Sequence, residues 1–196
     1  MDDARVPVTW HEGRWLNPPP ALDVDGGHVR VTVAQGSDFW RHTSYGFVRD
    51  SGHARLQPFP DGSAVEVSFL LDYEGRFDQA GLLVRADEAH WVKAGVEVSD
   101  GLPQVGAVVT DGSSDWSVAP VPAWAGQEVT VRASRSGDAL TVRARCDGGW
   151  QLVRLAPIDP GLTWSAGPYC CAPERSGLVV TVTAVRTGAA DTALHP

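Results

Sequence analysis

The stretch from Phe77 to Val98 limits what this chain can fold into more than any other. Two runs, Phe77-Asp78-Gln79-Ala80-Gly81-Leu82-Leu83-Val84-Arg85 and Trp91-Val92-Lys93-Ala94-Gly95-Val96-Glu97-Val98, flank a charged corner at Ala86-Asp87-Glu88-Ala89. β-Branched and aliphatic residues alternate with others on both sides of that break, which predicts two strands joined by a tight turn. In the second strand Val92, Ala94, Val96 and Val98 share one side, and Trp91, Lys93, Gly95 and Glu97 share the other, because strand side chains alternate with a period of two. One face is built to pack against a second layer. The other is free to meet solvent or a ligand.

The rest of the chain repeats the pattern with almost no helical period. Val8 to Trp10, with Trp15, predicts a short opening strand, and the Asn17-Pro18-Pro19-Pro20 run then breaks regular structure because proline has no amide proton. Further strands are expected at His28–Ala34, Ala64–Asp72, Gln104–Thr110, Val129–Ser134, Leu140–Cys146, Trp150–Leu155 and Leu178–Val185. The breaks between them carry turn residues, as at Arg135-Ser136-Gly137-Asp138 and Asp147-Gly148-Gly149. Glycine and proline supply 21 and 14 residues, a load that suits many turns and argues against a helical fold. About ten short strands at this spacing point to a two-sheet sandwich or barrel. With 196 residues the chain fits a single domain spanning 1–196, its core at about 23–185 and a loose polar tail over 187–196.

Charge and cysteine content narrow the partners. A net charge of -8 disfavours a sequence-independent grip on nucleic acid or an anionic membrane, and no apolar run reaches the length of a membrane helix or a signal peptide. A cytoplasmic protein is expected. The three cysteines, with Cys170 and Cys171 adjacent, make a poor disulfide framework and lack the Cys-x-x-Cys spacing of a structural zinc site, so neither a metal nor a cofactor is expected.

Several runs carry a family resemblance: Ser37-Asp38-Phe39-Trp40-Arg41; Tyr45-Gly46-Phe47-x-x-Asp50-x-Gly52-His53; Asp78-Gln79-Ala80-Gly81-Leu82; Trp91 to Glu97; and Asp115-Trp116-Ser117. In this order, over about Asp23 to Val185, they resemble a family of uncharacterised domains of the regulation-of-enolase type, in the concanavalin A-like lectin and glucanase superfamily. The resemblance implies an all-β, concanavalin A-like jelly-roll sandwich of two antiparallel sheets whose concave sheet forms a groove, where relatives in the superfamily hold sugars. It implies no established reaction.

The residues themselves suggest a polar-floored groove. Lys93 and Glu97 lie roughly 13 Å apart along one side of a strand, too far to pair directly, so each needs partners from neighbouring strands. Gln79 qualifies if the two strands run antiparallel, and Gln104 is a further candidate. Trp40, Tyr45, Trp116 and Tyr169 are candidate rim residues, since flat rings stack on the apolar faces of sugars while carboxylates and amides take the hydroxyls. Asp50 and His53, three apart in a glycine-bearing turn, are candidates for a carboxylate–histidine pair. If the groove catalyses a reaction, Glu97 is the expected acid or base and Lys93 the stabiliser of developing negative charge. The alternating Glu-x-Asp-x-Glu of the glucanase relatives is missing, so a second acid would have to be Asp38, Asp50 or Asp115. The expected partner is a small molecule or carbohydrate, with a metabolic enzyme as the protein alternative.

Overall fold

The computed structural model describes residues 6–7 and 12–195, so the strand expected at Val8–Trp10 lies outside the described residues. In chain order the strands are β1 (Val6–Pro7), β2 (Arg14–Leu16), β3 (Ala21–Asp25), β4 (His28–Thr32), β5 (Phe39–Arg41) and β6 (Val48–Asp50). Next come β7 (His53–Pro58), β8 (Ser63–Leu70), β9 (Gln79–Arg85), β10 (His90–Ser99), β11 (Leu102–Asp111) and β12 (Ser113–Pro120). After a 3-10 turn at Pro122–Trp124 follow β13 (Glu128–Ser136), β14 (Ala139–Arg145), β15 (Gln151–Pro157), β16 (Ser165–Cys171) and β17 (Val179–Ala189). The back sheet runs β15-β14-β13-β8-β17-β4-β3 with β1 on β17, and the front sheet runs β12-β11-β10-β9-β16-β7-β2. Every strand pairing in the two sheets is antiparallel.

The alternation read from the sequence decides which side chains fill the space between the sheets. Val92, Ala94, Val96 and Val98 of β10 meet Val65, Val67 and Phe69 of β8 and Val29 and Val31 of β4 in one buried core. Burying such side chains removes apolar surface from water at roughly 25 cal/mol per Å², which is the main force holding the layers together. The outward face of the back sheet is also covered. Glu66 and Ser68, on the far side of β8, are buried: Ser68 shares a hydrogen bond with Thr130, and Glu66 accepts from Arg132 at 2.6 Å.

This cover comes from the segment expected to be a loose tail. Strand β17 continues to Ala189, and Asp191 then accepts from Arg132 at 2.9 Å and from Arg143 at 2.6 Å. Arg143 also donates to the Leu194 carbonyl at 2.6 Å. Two largely buried guanidiniums need acceptors, and residues 191–194 supply them alongside Glu66.

On the outer face of the front sheet lies a short hairpin, β5 with β6, that belongs to neither large sheet. Phe39 anchors it, fully buried, with its ring 6.0 Å from Trp91 and 6.3 Å from Tyr169. These residues, with Trp40, Leu83, Val108 and Cys171, form a second, smaller core.

Candidate functional site

Antiparallel register places the front face in cross-strand rows. Lys93 of β10 is opposite Leu83 of β9 and Val108 of β11; Gly95 is opposite Gly81 and Gly106; Glu97 is opposite Gln79 and Gln104. The middle row is three glycines, continued by Tyr169 of β16 opposite Gly81. No larger residue fits at its centre, because a Cβ on Gly95 would lie 2.1 Å from the Ala80 carbonyl oxygen. A side-chain-free strip therefore separates Lys93 from Glu97.

Lys93 is almost wholly buried and donates to Gln79 Oε1 at 2.7 Å and to Asp38 Oδ1 at 3.1 Å. The Gln79 amide is oriented for this by its own Nε2, which donates to the Phe77 carbonyl at 3.2 Å. Burial opposes the Lys93 charge, but the carboxylate of Asp38, with Cys171 and Glu97 behind it, outweighs that and raises the ammonium above its ordinary value. An ammonium has three N–H donors. Two are used; the third has no acceptor among the described residues, and Lys93 lines the groove.

Glu97 is in the opposite condition. Burial raises its carboxyl from 4.5 to about 7, with Lys93 working against the shift and Asp38 adding to it. No described residue hydrogen-bonds this carboxyl, and Gln104 instead donates to Ser99, to its carbonyl at 3.1 Å and its hydroxyl at 2.9 Å. Tyr169, also buried, borders a water-sized hollow over the glycine strip together with Lys93, Glu97 and Gln104. The two carboxyl groups thus differ: Asp38 is paired with the ammonium, and burial holds Glu97 up at about 7.

These groups floor a cavity of ≈ 370 Å³. Trp40, Tyr45 and Phe47 of the hairpin and Trp116 of β12 line it, with Arg76, Phe77 and Glu174 from the loops beside β9 and β16. The aromatics form a continuous ladder: Trp40 meets Tyr45 edge-on at 5.5 Å, and Tyr45 stacks on Phe47 at 5.4 Å and 16°. Trp40 is pinned by its indole N–H to the Thr43 carbonyl at 2.9 Å, whereas Tyr45 is 57% exposed.

The Asp50 and His53 pair does not join this site. Asp50 is held by Arg85 in a two-pronged ion pair at 2.7 and 2.9 Å. The His53 ring is buried with both nitrogens spent on backbone: Nε2 accepts the Ala34 N–H at 3.0 Å, which leaves Nδ1 to donate to the Asn17 carbonyl at 2.7 Å. Neither nitrogen can serve as a base or ligand there. Asp115 pairs with Arg154 at 2.6 Å on the sheet edge, and of the three candidate acids Asp38 alone lines the same cavity as Glu97. Trp116 and Tyr169, expected as rim residues, lie inside β12 and β16; Trp116 lines the cavity, whereas Tyr169 is buried and does not.

A family model described as "Protein of unknown function (DUF1349)" matches residues 15–190. The chain belongs to the DUF1349 family. A Saccharomyces cerevisiae protein named "Regulation of enolase protein 1" is 40% identical over 171 residues, which is 87% of this chain and 86% of that one. The crystal structure of a functionally unknown S. cerevisiae protein matches with a TM-score of 0.86 at 38% identity, over 91% of this DUF1349 chain and 97% of that one. More distant likenesses show the fold alone. The VIP36 exoplasmic/lumenal domain, solved in a Ca2+/Man3GlcNAc-bound form, gives a TM-score of 0.58 at 11% identity over 93% of this chain and 86% of that one. A xylan β-1,4-xylosidase from Bacillus halodurans gives 0.68 at 16% identity, over 95% of this chain and 38% of that one. The DUF1349 fold is thus a concanavalin A-like β-sandwich.

Sequence reasoning missed Asp38 as the Lys93 partner, and Phe47, Arg49, Arg76, Phe77 and Glu174 as cavity walls in this DUF1349 member. Asp38 and Lys93 are 55 residues apart, and no local pattern links a loop acid to a strand lysine at that distance. The one usable signal was parity: a buried lysine on a sheet face needs a carboxylate from whatever covers that face.

Proposed function

We propose that the front groove binds a small polyhydroxylated ligand, a carbohydrate or sugar-like molecule. The observation that carries this reading is an aromatic wall of Trp40, Tyr45 and Trp116 standing beside a hydrogen-bonding floor of Gln79, Lys93 and Glu97 in one cavity. Rings stack on the apolar faces of sugars, and the spare Lys93 N–H and the Glu97 carboxyl suit hydroxyl groups. The cavity volume falls near the lower end of the roughly 300–1,000 Å³ of small-molecule sites. The fold is one on which the VIP36 domain holds an oligosaccharide, which supports the reading by analogy only. The three cysteines are free, which fits a reducing, cytoplasmic setting.

A thermal-shift and calorimetric screen of mono- and oligosaccharides tests the proposal. Ligand at 100 times its dissociation constant adds about 2.7 kcal/mol to stability. The shift is expected to vanish in Trp116→Ala and Lys93→Ala; a shift unchanged in both would remove the groove from consideration. If a bound sugar is also turned over, Glu97→Gln abolishes turnover and leaves binding largely intact.

The name of the yeast relative favours a second reading, contact with a metabolic enzyme. The hairpin tip supports it, since Tyr45, Phe47 and Val48 are 57%, 38% and 45% exposed and project apolar surface beside the cavity. Purified enolase from the same organism, titrated against the wild type and a Tyr45→Ala/Phe47→Ala variant, separates the readings. Binding lost in that variant, with no response to any sugar, would replace the carbohydrate proposal.

A further inference from the structure

We propose that the ligand of the front groove carries an anionic group, a carboxylate or a phosphate, held at the rim by Arg49 and Arg76. This rests on the carbohydrate reading above and narrows it to acidic sugars.

Eight of the other described arginines have close acceptors: Arg41, Arg55 and Arg135 donate to carbonyls at 2.8–3.2 Å, and five more face carboxylates. Arg85, Arg132, Arg143, Arg154 and Arg175 each face a carboxylate at 2.6–2.9 Å. The two arginines lining the cavity have no such acceptor. Arg49 has no hydrogen-bond or ion-pair partner among the described residues; its guanidinium lies over the Phe47 ring, 5.0 Å from the centroid. Arg76 lies over Phe77 at 4.7 Å, and its contact with Glu174 is 3.6 Å, longer than a hydrogen bond, with the arginine side chain 69% exposed.

The same device thus occurs twice, on two separate segments of the cavity wall. A cation held over a ring uses the flat face of the guanidinium and leaves the N–H groups at its edge unspent. Each arginine keeps donors in the fork geometry that matches carboxylate and phosphate oxygens. Phe77, which supplies one ring, is held at φ 60, a conformation that costs a bulky residue energy and fixes the ring beside the cavity. On the floor Lys93 and Asp38 neutralise each other, which leaves Glu97 and, on the wall, Glu174 as the other acidic groups of the cavity. In a chain of net charge -8, two arginines at one cavity with no carboxylate within hydrogen-bonding distance are cations that a neutral ligand would leave unused.

The test is isothermal titration of glucuronate, glucose 6-phosphate and glucose into the wild type and an Arg49→Ala/Arg76→Ala variant. At least one charged sugar is expected to bind about tenfold tighter than glucose. That advantage should shrink as salt rises from about 0.05 to about 0.5 M, and the double variant should lose it. Which charged sugar gains tells carboxylate from phosphate. Glucose binding as tightly as both charged sugars, or an advantage that survives in the double variant, overturns the inference while the carbohydrate reading stands. No binding of any of the three overturns both.

Discussion

Glu97 links the floor of the groove to pH. Its folded-state value of about 7 lies above the 4.5 of an ordinary glutamate, so between those values the folded protein holds a proton that the unfolded chain has released. The stability this group contributes is complete below about pH 4.5 and is lost as pH rises through 7. A tenfold change in proton affinity is worth about 1.4 kcal/mol, and water entering the groove returns part of the total. Glu97→Gln should therefore match the wild type near pH 4.5 and exceed it by roughly 2 kcal/mol at about pH 8. Urea denaturation at the two pH values checks this, and an unchanged difference would mean the carboxyl is better solvated than its surroundings suggest. Lys93 should behave in the opposite sense. Replacing it by methionine strands Asp38 without its ammonium, and a loss of about 2 kcal/mol is expected, below the roughly 3–5 kcal/mol of a fully buried pair because Asp38 keeps some contact with water.

At the scale of elements, the hairpin decides whether there is a cavity at all. Phe39 is its only fully buried large side chain, wedged against Trp91 and Tyr169. Phe39→Ala should cost about 3–5 kcal/mol and release the wall that carries Trp40, Tyr45 and Arg49, so ligand-induced shifts in Tm should disappear with it. Gly52→Ala should act in the same way by a different route, because its Cβ would stand 2.2 Å from the Phe39 ring. The legibility of the elements follows from how each is buried. Strands β4, β8, β10, β11, β13 and β14 set apolar residues on the core face against mainly polar or small residues on the other, buried or not, and show this as alternation. Strand β16, Ser-Ala-Gly-Pro-Tyr-Cys-Cys, is covered on both faces and carries small residues and a proline, and its ladder to β7 skips Gly167 and Pro168, where proline has no N–H to give. Strand β12 is an exposed edge, and β5 and β6 have three residues each, so neither has a pattern long enough to read. The Gln79 contact to Lys93 was legible through parity and antiparallel pairing, whereas the walls of the cavity come from loops and the hairpin, whose placement no periodicity records.

Across the whole molecule, the back sheet is closed from outside by the chain end. Asp191 answers Arg132 and Arg143, and the Trp150 ring lies 4.4 Å from the Arg132 guanidinium and 4.5 Å from that of Arg145. Asp191→Asn should lower stability by about 1–3 kcal/mol, read by chemical denaturation, because it leaves the buried Arg143 without its carboxylate while Arg132 keeps Glu66. The order of strands carries a further consequence, for the way the chain reaches this state. The last strand, β17, lies between β8 and β4 in the interior of the back sheet, and β16 lies between β9 and β7 in the front sheet. Until residues beyond about 165 are available, both sheets remain split into halves that cannot pair with each other. A chain emerging from the ribosome therefore carries its half-sheets with open edges until β16 and β17 have emerged, and its folding should be slow, dominated by contacts distant in sequence.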